Sequence, residues 1–269
     1  MIPSQAFREY GDAVARQAEE ASARLRTFME AIEMLGDVSN EFLRNSVIDF
    51  MGALVYRYGT VAAVLAADFY NETAASAGVR VDDALIAEVD YDAAVSGSVK
   101  YAARRLFDQN PDTEAFKQAC MAVVSRFVKK AANDTVSKNC VRDRRKGARF
   151  ARVPSGTETC AFCLMLASRG FVYASKDTAG EFDHFHDGCD CKIVAGFGDD
   201  AGVEGYEHGK YLEMYEDALA YDAYGLVDLD ETLNSMRRSM YGTIKDRRNA
   251  RRRELRAARQ ARGQDGESS

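Results

Sequence analysis

Apolar positions in the first part of the chain recur every three or four residues, which is the spacing of an amphipathic helix. The pattern predicts a first helix from about Ser4 to Leu35, ended by Gly36. Ser39 or Asn40 can cap a second helix, because both side chains accept hydrogen bonds from free first-turn amides. We expect that helix to continue through Tyr70, to be ended by Gly78 and, being apolar on most faces, to lie at the centre of a bundle.

Three further helical elements are predicted in the middle of the chain. A short one spans Asp82 to Val89, and another begins near Asp90 or Asp92. The third is entered through Asn110-Pro111, where asparagine caps the helix and proline takes the first helical position. Cys120 falls on the apolar face of this third helix, so we expect a thiol buried in the core.

A basic stretch follows in which the helical periodicity is lost. We expect a short strand from Ala148 to Val153 within it. The candidate phosphate-binding residues here are Arg142, Arg144, Arg145, Lys146 and Arg149. One interpretation is a solvated connector. The other is a patch that faces DNA, since clustered guanidinium groups bind backbone phosphates without sequence specificity.

The last third of the chain is strongly divided by charge, which the net charge of −6 conceals. Residues 199–231 carry eleven acids and a single lysine, and residues 236–262 carry eleven Lys/Arg and two acids. Within the acidic segment, helical spacing predicts an amphipathic helix that packs on the core or docks on a partner. Its apolar residues are Tyr211, Leu212, Tyr215 and Leu219.

The basic tail has few apolar residues, so we expect it to be disordered or a solvated helix when free. Leu226, Leu229, Leu233 and Met236 form an apolar stripe just before it. DNA is the favoured partner of the tail, and the acidic segment of the same or a neighbouring chain is the alternative, with simple solvation also open. The tail residues expected at DNA are Arg247, Arg248, Arg251, Arg252, Arg253 and Arg256.

Four of the six cysteines and two of the three histidines fall between Cys160 and Cys191. The start of the chain lacks the pattern of a secretory signal, and the apolar run 51–69 is interrupted by Arg57 and Asp68, so neither export nor membrane insertion is expected. In a reducing compartment, such a cluster is more often a metal site than a set of disulfides or unliganded thiols.

Five side chains are candidate metal ligands. Cys160 and Cys163, two residues apart, can bind one cation from a turn or the start of a helix. His186, Cys189 and Cys191 supply three more. A tetrahedral site would use four of the five, and the spacing does not choose between Cys189 and Cys191. Zinc suits such a thiolate-rich set.

A structural zinc site is favoured over a catalytic one. Catalytic zinc keeps an open position beside acid or base groups, whereas a cysteine-rich, fully liganded site is usually structural. His184 is a weaker ligand candidate, and the cluster 183–187 could instead hold a general base. A zinc-dependent nuclease therefore remains an alternative, as does a free nucleic-acid-binding protein.

These residues also carry a family resemblance. The stretch Arg152-Val-Pro-Ser-Gly-x-x-Thr-Cys-x-Phe-Cys-x-Met-Leu-Ala-Ser-Arg-Gly170, followed by His186-x-x-Cys-x-Cys191, resembles the minor head proteins typified by the phage Mu F protein, particularly those of actinobacterial phages and prophages. Asp187 stands where that family usually has proline, and Asp190 where it usually has arginine. The resemblance is specific over about a fifth of the chain.

The resemblance implies a minor capsid protein of the virion, located inside the head near the portal and made in the host cytoplasm during assembly. Its implied partners are the portal protein, neighbouring head proteins and packaged DNA. It implies a role in head assembly and genome packaging or ejection, with no enzymatic activity. Neither a membrane nor a small-molecule substrate is expected.

The sequence as a whole predicts a mainly α protein. Residues 1–141 form an N-terminal bundle of long amphipathic helices, and residues 142–200 form a small α+β module stapled by a Cys/His metal site. Residues 201–235 form an acidic helical segment, and residues 236–269 form the basic tail, helical or disordered.

Overall fold

Long helices dominate the computed structural model, which describes residues 1–155, 159–173 and 191–240 of the chain. The first helix, α1, spans Ser4–Glu33 and buries residues at the predicted spacing. The second, α2, spans Asn40–Ser76, and the Ser39 side chain caps it by accepting a hydrogen bond from the amide of Phe42 at 3.2 Å. Both predicted helices are confirmed, and α2 ends two residues before Gly78, its predicted terminator.

The predicted helix from Asp82 to Val89 is wrong, because this segment forms no helix. Neighbouring helices satisfy its backbone instead. The Asn139 side chain accepts from the amide of Leu85 at 2.9 Å and donates to the carbonyl of the same residue at 2.8 Å. Thr135 Oγ1 accepts a hydrogen bond from the backbone amide of Ala87 at 3.1 Å. These side chains bind the segment in an irregular conformation, which removes the need for helical hydrogen bonds.

The third helix, α3, spans Asp92–Ala102 as predicted. The fourth, α4, spans Thr113–Arg142, and the Asp112 carboxylate caps it by accepting from the amide of Ala115 at 2.8 Å. The expectation that Asn110 caps this helix, with proline at the first helical position, is therefore wrong by two residues. A carboxylate at the positive end of a helix is a strong cap, which accounts for the shift.

Two antiparallel strands complete this part of the fold. The first, β1, spans Ala148–Val153 as predicted, and β2 spans Lys192–Phe197. Their register places Ala148 opposite Phe197 and Val153 opposite Lys192. The strands pack on α4, and α2 packs against α1, α3, α4 and β2. The predicted central position of α2 is confirmed, and Cys120 of α4 is fully buried as expected.

The chain divides into two compact units. The first contains Met1–Thr159 and Arg169–Glu207, which include α1 to α4 and both strands. The second contains Cys160–Ser168 and His208–Ser269.

Three helices are described in the second unit: α5 over Ala161–Ala167, α6 over His208–Glu216, and α7 over residues 229–240. The predicted acidic helix is confirmed as α6, which packs against α5. It ends before Leu219, and none of its residues is fully buried. The predicted apolar stripe is confirmed only in part: Leu233 and Met236 of α7 are buried, whereas Leu226, which precedes the helix, and Leu229 are exposed.

Among the described helices, α2 is long and apolar enough to cross a membrane, judged by length and composition alone. Half of its most apolar window is buried inside the protein, and core helices of soluble proteins pass the same test. The finding is therefore weak evidence for a membrane. It does identify α2 as an apolar helix that is only half covered.

Candidate metal module and nucleic-acid interface

Cys160 and Cys163 lie together at the start of α5. Cys160 immediately precedes the helix, and its Sγ accepts a hydrogen bond from the backbone amide of Cys163 at 3.3 Å. Cys160 is half-buried and Cys163 is buried. Amide donors and the positive end of a helix stabilise a thiolate, which is the form that binds metal. The donor chemistry and local geometry of this pair therefore fit one half of a zinc site.

The other half of the predicted site is only partly described. Cys191 is buried and immediately precedes β2 in the first unit, whereas Cys160 and Cys163 belong to the second. His184, His186 and Cys189 lie outside the described residues. Among the described residues, no group of three or more His, Cys, Asp or Glu side chains is placed to hold a metal. The complete ligand set stays a prediction.

Two cationic side chains at the β1–β2 pair are buried, which sequence reasoning missed. Arg152 is 4% exposed and Lys192 is 7% exposed. The Lys192 ammonium donates to Ser155 Oγ at 3.0 Å. A buried charge is stable only with polar or charged partners, and Ser155 is such a partner for Lys192. The signal was weak in the sequence because Arg152 stands in a run of basic residues, three of which are exposed.

Arg142, predicted to face DNA, is engaged within the fold. Its guanidinium group contacts the Asp143 carboxylate at 2.6 Å and donates to the backbone carbonyl oxygens of Asp82 and Asp83, each at 2.8 Å. The side chain thereby joins the end of α4 to the irregular segment that precedes α3. DNA contact by Arg142 stays a prediction and would have to occur beside these bonds.

Asp143 is the centre of this network and was missed by the sequence analysis. Its side chain is 2% exposed and also accepts a hydrogen bond from the hydroxyl of Tyr70 at 3.0 Å. Burial by itself raises the pKa of Asp143, but the hydrogen bonds from Arg142 and Tyr70 outweigh burial and hold that pKa below its usual value. Burial raises the pKa of the Tyr70 phenol. The network therefore contains a stable carboxylate.

The remaining residues of the basic stretch differ in how much they face solvent. Arg144, Arg145 and Lys146 are exposed on a short 3-10 turn, and Lys146 lies 3.4 Å from the Asp143 carboxylate. Arg149 is half-buried and donates to its neighbour's carbonyl, that of Ala148, at 2.8 Å. The six tail arginines predicted at DNA lie outside the described residues. Three of the five side chains of the stretch are thus exposed to solvent.

Comparison with known proteins gives a family match over most of the chain. A family model described as VG15 protein matches residues 1–218. The Gene 15 protein of Mycobacterium phage L5 is 30% identical, over a match that covers 34% of this chain and 46% of the phage protein. The Gene 15 protein of Mycobacterium phage D29 is 29% identical, with the same shares covered. This chain thus spans about half the length of the curated relatives it matches. No solved structure matches it.

Proposed function

This chain belongs to the VG15 protein family, and on that premise we propose that it is a minor capsid protein, located inside a phage head near the portal. Its role is in head assembly and in genome packaging or ejection, and it is not enzymatic. The observation that carries the proposal is the family match over residues 1–218 together with relatives encoded by mycobacteriophages. The Cys-x-x-Cys and His-x-x-Cys-x-Cys elements, which resemble those of Mu F-like minor head proteins, support the same role.

The helices of the first unit are the parts that bind the portal or neighbouring head proteins. The direct test is to express the affinity-tagged chain together with the portal protein encoded in the same phage genome. We expect the portal to co-purify with the tagged chain and to be absent from a purification with the tag alone. Equal portal recovery in both purifications would refute the contact.

The metal module stabilises its own part of the chain through structural zinc. Cys160 and Cys163 would supply two thiolates, and a bound zinc ion would close a segment too short to build a hydrophobic core. Purified protein should contain near-stoichiometric zinc, and Cys160→Ser should reduce both the zinc content and the melting temperature. Unchanged melting and zinc-free protein would refute a structural zinc site.

The basic segments contact packaged DNA without sequence specificity. The exposed side chains of Arg144, Arg145 and Lys146 and the basic tail carry the charge for such binding. Deleting residues 241–269 should weaken DNA binding and make the logarithm of the affinity less dependent on the logarithm of the salt concentration. If affinity and salt dependence are both unchanged, DNA is not the partner of the tail.

A further inference from the structure

The outward face of α2 carries an apolar strip with a charge at each end. Val61 and Val64 are 43% and 37% exposed, and Arg57 and Asp68 lie on the same side of the helix. The four positions follow one another at spacings of four, three and four residues, which keeps them in one line along a helix. Apolar side chains at this spacing usually cover a partner.

The two charges at the ends of the strip form no ion pair in the described part of the chain, although the Arg57 guanidinium lies 5.7 Å from the centroid of the Tyr58 ring. Neither Arg57 nor Asp68 makes an ion pair or a side-chain hydrogen bond there. They stand eleven residues apart, or about 16 Å along the helix axis, so they cannot pair with each other within one chain. The strip therefore presents a cation, two valines and an anion in order, and neither charge is in an ion pair within the described residues.

We propose that this face binds the same face of a second copy of the chain, with the two α2 helices antiparallel. A two-fold axis midway between Ala62 and Ala63 places Val61 of one copy against Val64 of the other. The same axis places Arg57 of one copy against Asp68 of the other, twice in each dimer. An interface of this kind is isologous, because each contact occurs once in each direction.

Charge selects the antiparallel arrangement. A parallel pair of α2 helices would place Arg57 against Arg57 and Asp68 against Asp68, and like charges facing each other disfavour that register. Glu72 lies one turn beyond Asp68 and is exposed. In the antiparallel pair, Glu72 of one copy adds a second carboxylate on the side where Arg57 of the other copy lies.

The flanking side chains permit close contact between the helices. The hydroxyl of Thr60 donates to the carbonyl oxygen of Tyr56 within the same helix at 2.6 Å, so covering Thr60 leaves no donor unsatisfied. Ala53, one turn before Arg57 on the same side, is small and exposed. The strip covers only about three helical turns, so the dimer belongs to the weak, reversible class.

Sedimentation of the full chain over a wide concentration range tests the proposal, with a charge exchange as the decisive comparison. We expect a monomer–dimer equilibrium. Arg57→Glu should raise the dissociation constant about tenfold, because it turns both intermolecular ion pairs into like-charge pairs. Asp68→Arg alone should act similarly. The double variant Arg57→Glu/Asp68→Arg restores opposite charges and should return the constant to within about threefold of the original.

A second pair of variants tests the apolar part of the strip. Val61→Ser/Val64→Ser should weaken the dimer, whereas Val141→Ser, at a valine of similar exposure on α4, should leave it unchanged. Circular dichroism should show all variants folded, since every altered side chain is exposed. A chain that stays monomeric throughout the range, or a dimer that tolerates both the single charge reversals and the paired serine substitution, overturns the proposal.

Discussion

At the scale of single residues, Asp143 shows how one carboxylate joins three parts of the fold. It binds Arg142 beside it, Tyr70 from α2, and Lys146 from the following turn. The sequence displays Asp143 only as the lone acid in a basic stretch. Its role depends on burial and on a tyrosine about seventy positions away, and neither can be read from local sequence.

Replacing Asp143 with asparagine should lower the free energy of unfolding by about 2–3 kcal/mol at neutral pH, because charge-assisted hydrogen bonds to a buried carboxylate are lost. Urea unfolding of both proteins measures the difference. Asp49→Asn, at an exposed carboxylate on α2, is the matched control and should have little effect. If Asp143→Asn lowers the free energy of unfolding no more than Asp49→Asn does, the Asp143 carboxylate does not stabilise the fold.

The same pair of proteins gives a pH dependence with a defined sign. The folded-state pKa of Asp143 is lowered, so the carboxylate stabilises the fold above its unfolded pKa of about 3.9. That contribution is lost as the pH falls through the folded pKa. The stability difference between the original protein and Asp143→Asn should therefore shrink in acid. If the stability difference between the two proteins grows as the pH falls, the pKa of Asp143 is not lowered by folding.

Buried thiols give a second prediction at this scale. Burial raises the pKa of Cys120 to about 12 and raises the pKa of Cys140 as well, so neither forms thiolate near neutral pH. Iodoacetamide should leave both unmodified in the native protein and label both after denaturation, as measured by peptide mass spectrometry. Native labelling as fast as in the denatured chain would show that these thiols are not in the core.

At the scale of elements, the sequence predicted the long helices well because their apolar spacing is sustained over many turns. The start of α1 at Ser4 and its end within two residues of Leu35 follow directly from it, and Ser39 was one of two candidate caps of α2. The segment from Asp82 to Val89 was mistaken for a helix because its composition allows one. Its conformation is imposed by Asn139 and other side chains of neighbouring helices, which no local pattern reveals.

The candidate site likewise has some features that the local sequence predicts and others that it does not. The pairing of Cys160 with Cys163 at a helix start follows from their two-residue spacing, and β1 follows from the loss of helical periodicity. The burial of Arg152 and the internal engagement of Arg142 depend on the packing of distant elements, so the sequence showed both simply as basic residues.

Asn139 offers a test of how the irregular segment is held. Asn139→Ala removes both bonds to the backbone of Leu85, so amide hydrogen exchange in residues 82–89 should become at least about tenfold faster, as expected for loss of about 1–3 kcal/mol of local stabilisation. Gln118→Ala, at an exposed residue of the same helix, is the control. Equally faster amide exchange throughout the first unit would indicate global destabilisation and contradict local stabilisation of residues 82–89 by Asn139.

At the scale of the whole molecule, charge and apolar surface are segregated. Eleven acids precede eleven Lys/Arg in the last third of the chain, and α2 leaves an apolar face uncovered in the first unit. A chain whose acidic, basic and exposed apolar residues lie in separate segments is suited to several simultaneous contacts. Such contacts are what the proposed role beside head proteins and DNA would require.

The most direct measurement of that role is quantitative mass spectrometry of gradient-purified, DNA-filled particles of a phage that encodes this chain. The account predicts peptides from the chain in the particles, in a fixed ratio to the portal protein and at far lower abundance than the major capsid protein. Intact particles that lack the chain, although it is abundant in the infected cell, would contradict a minor capsid protein.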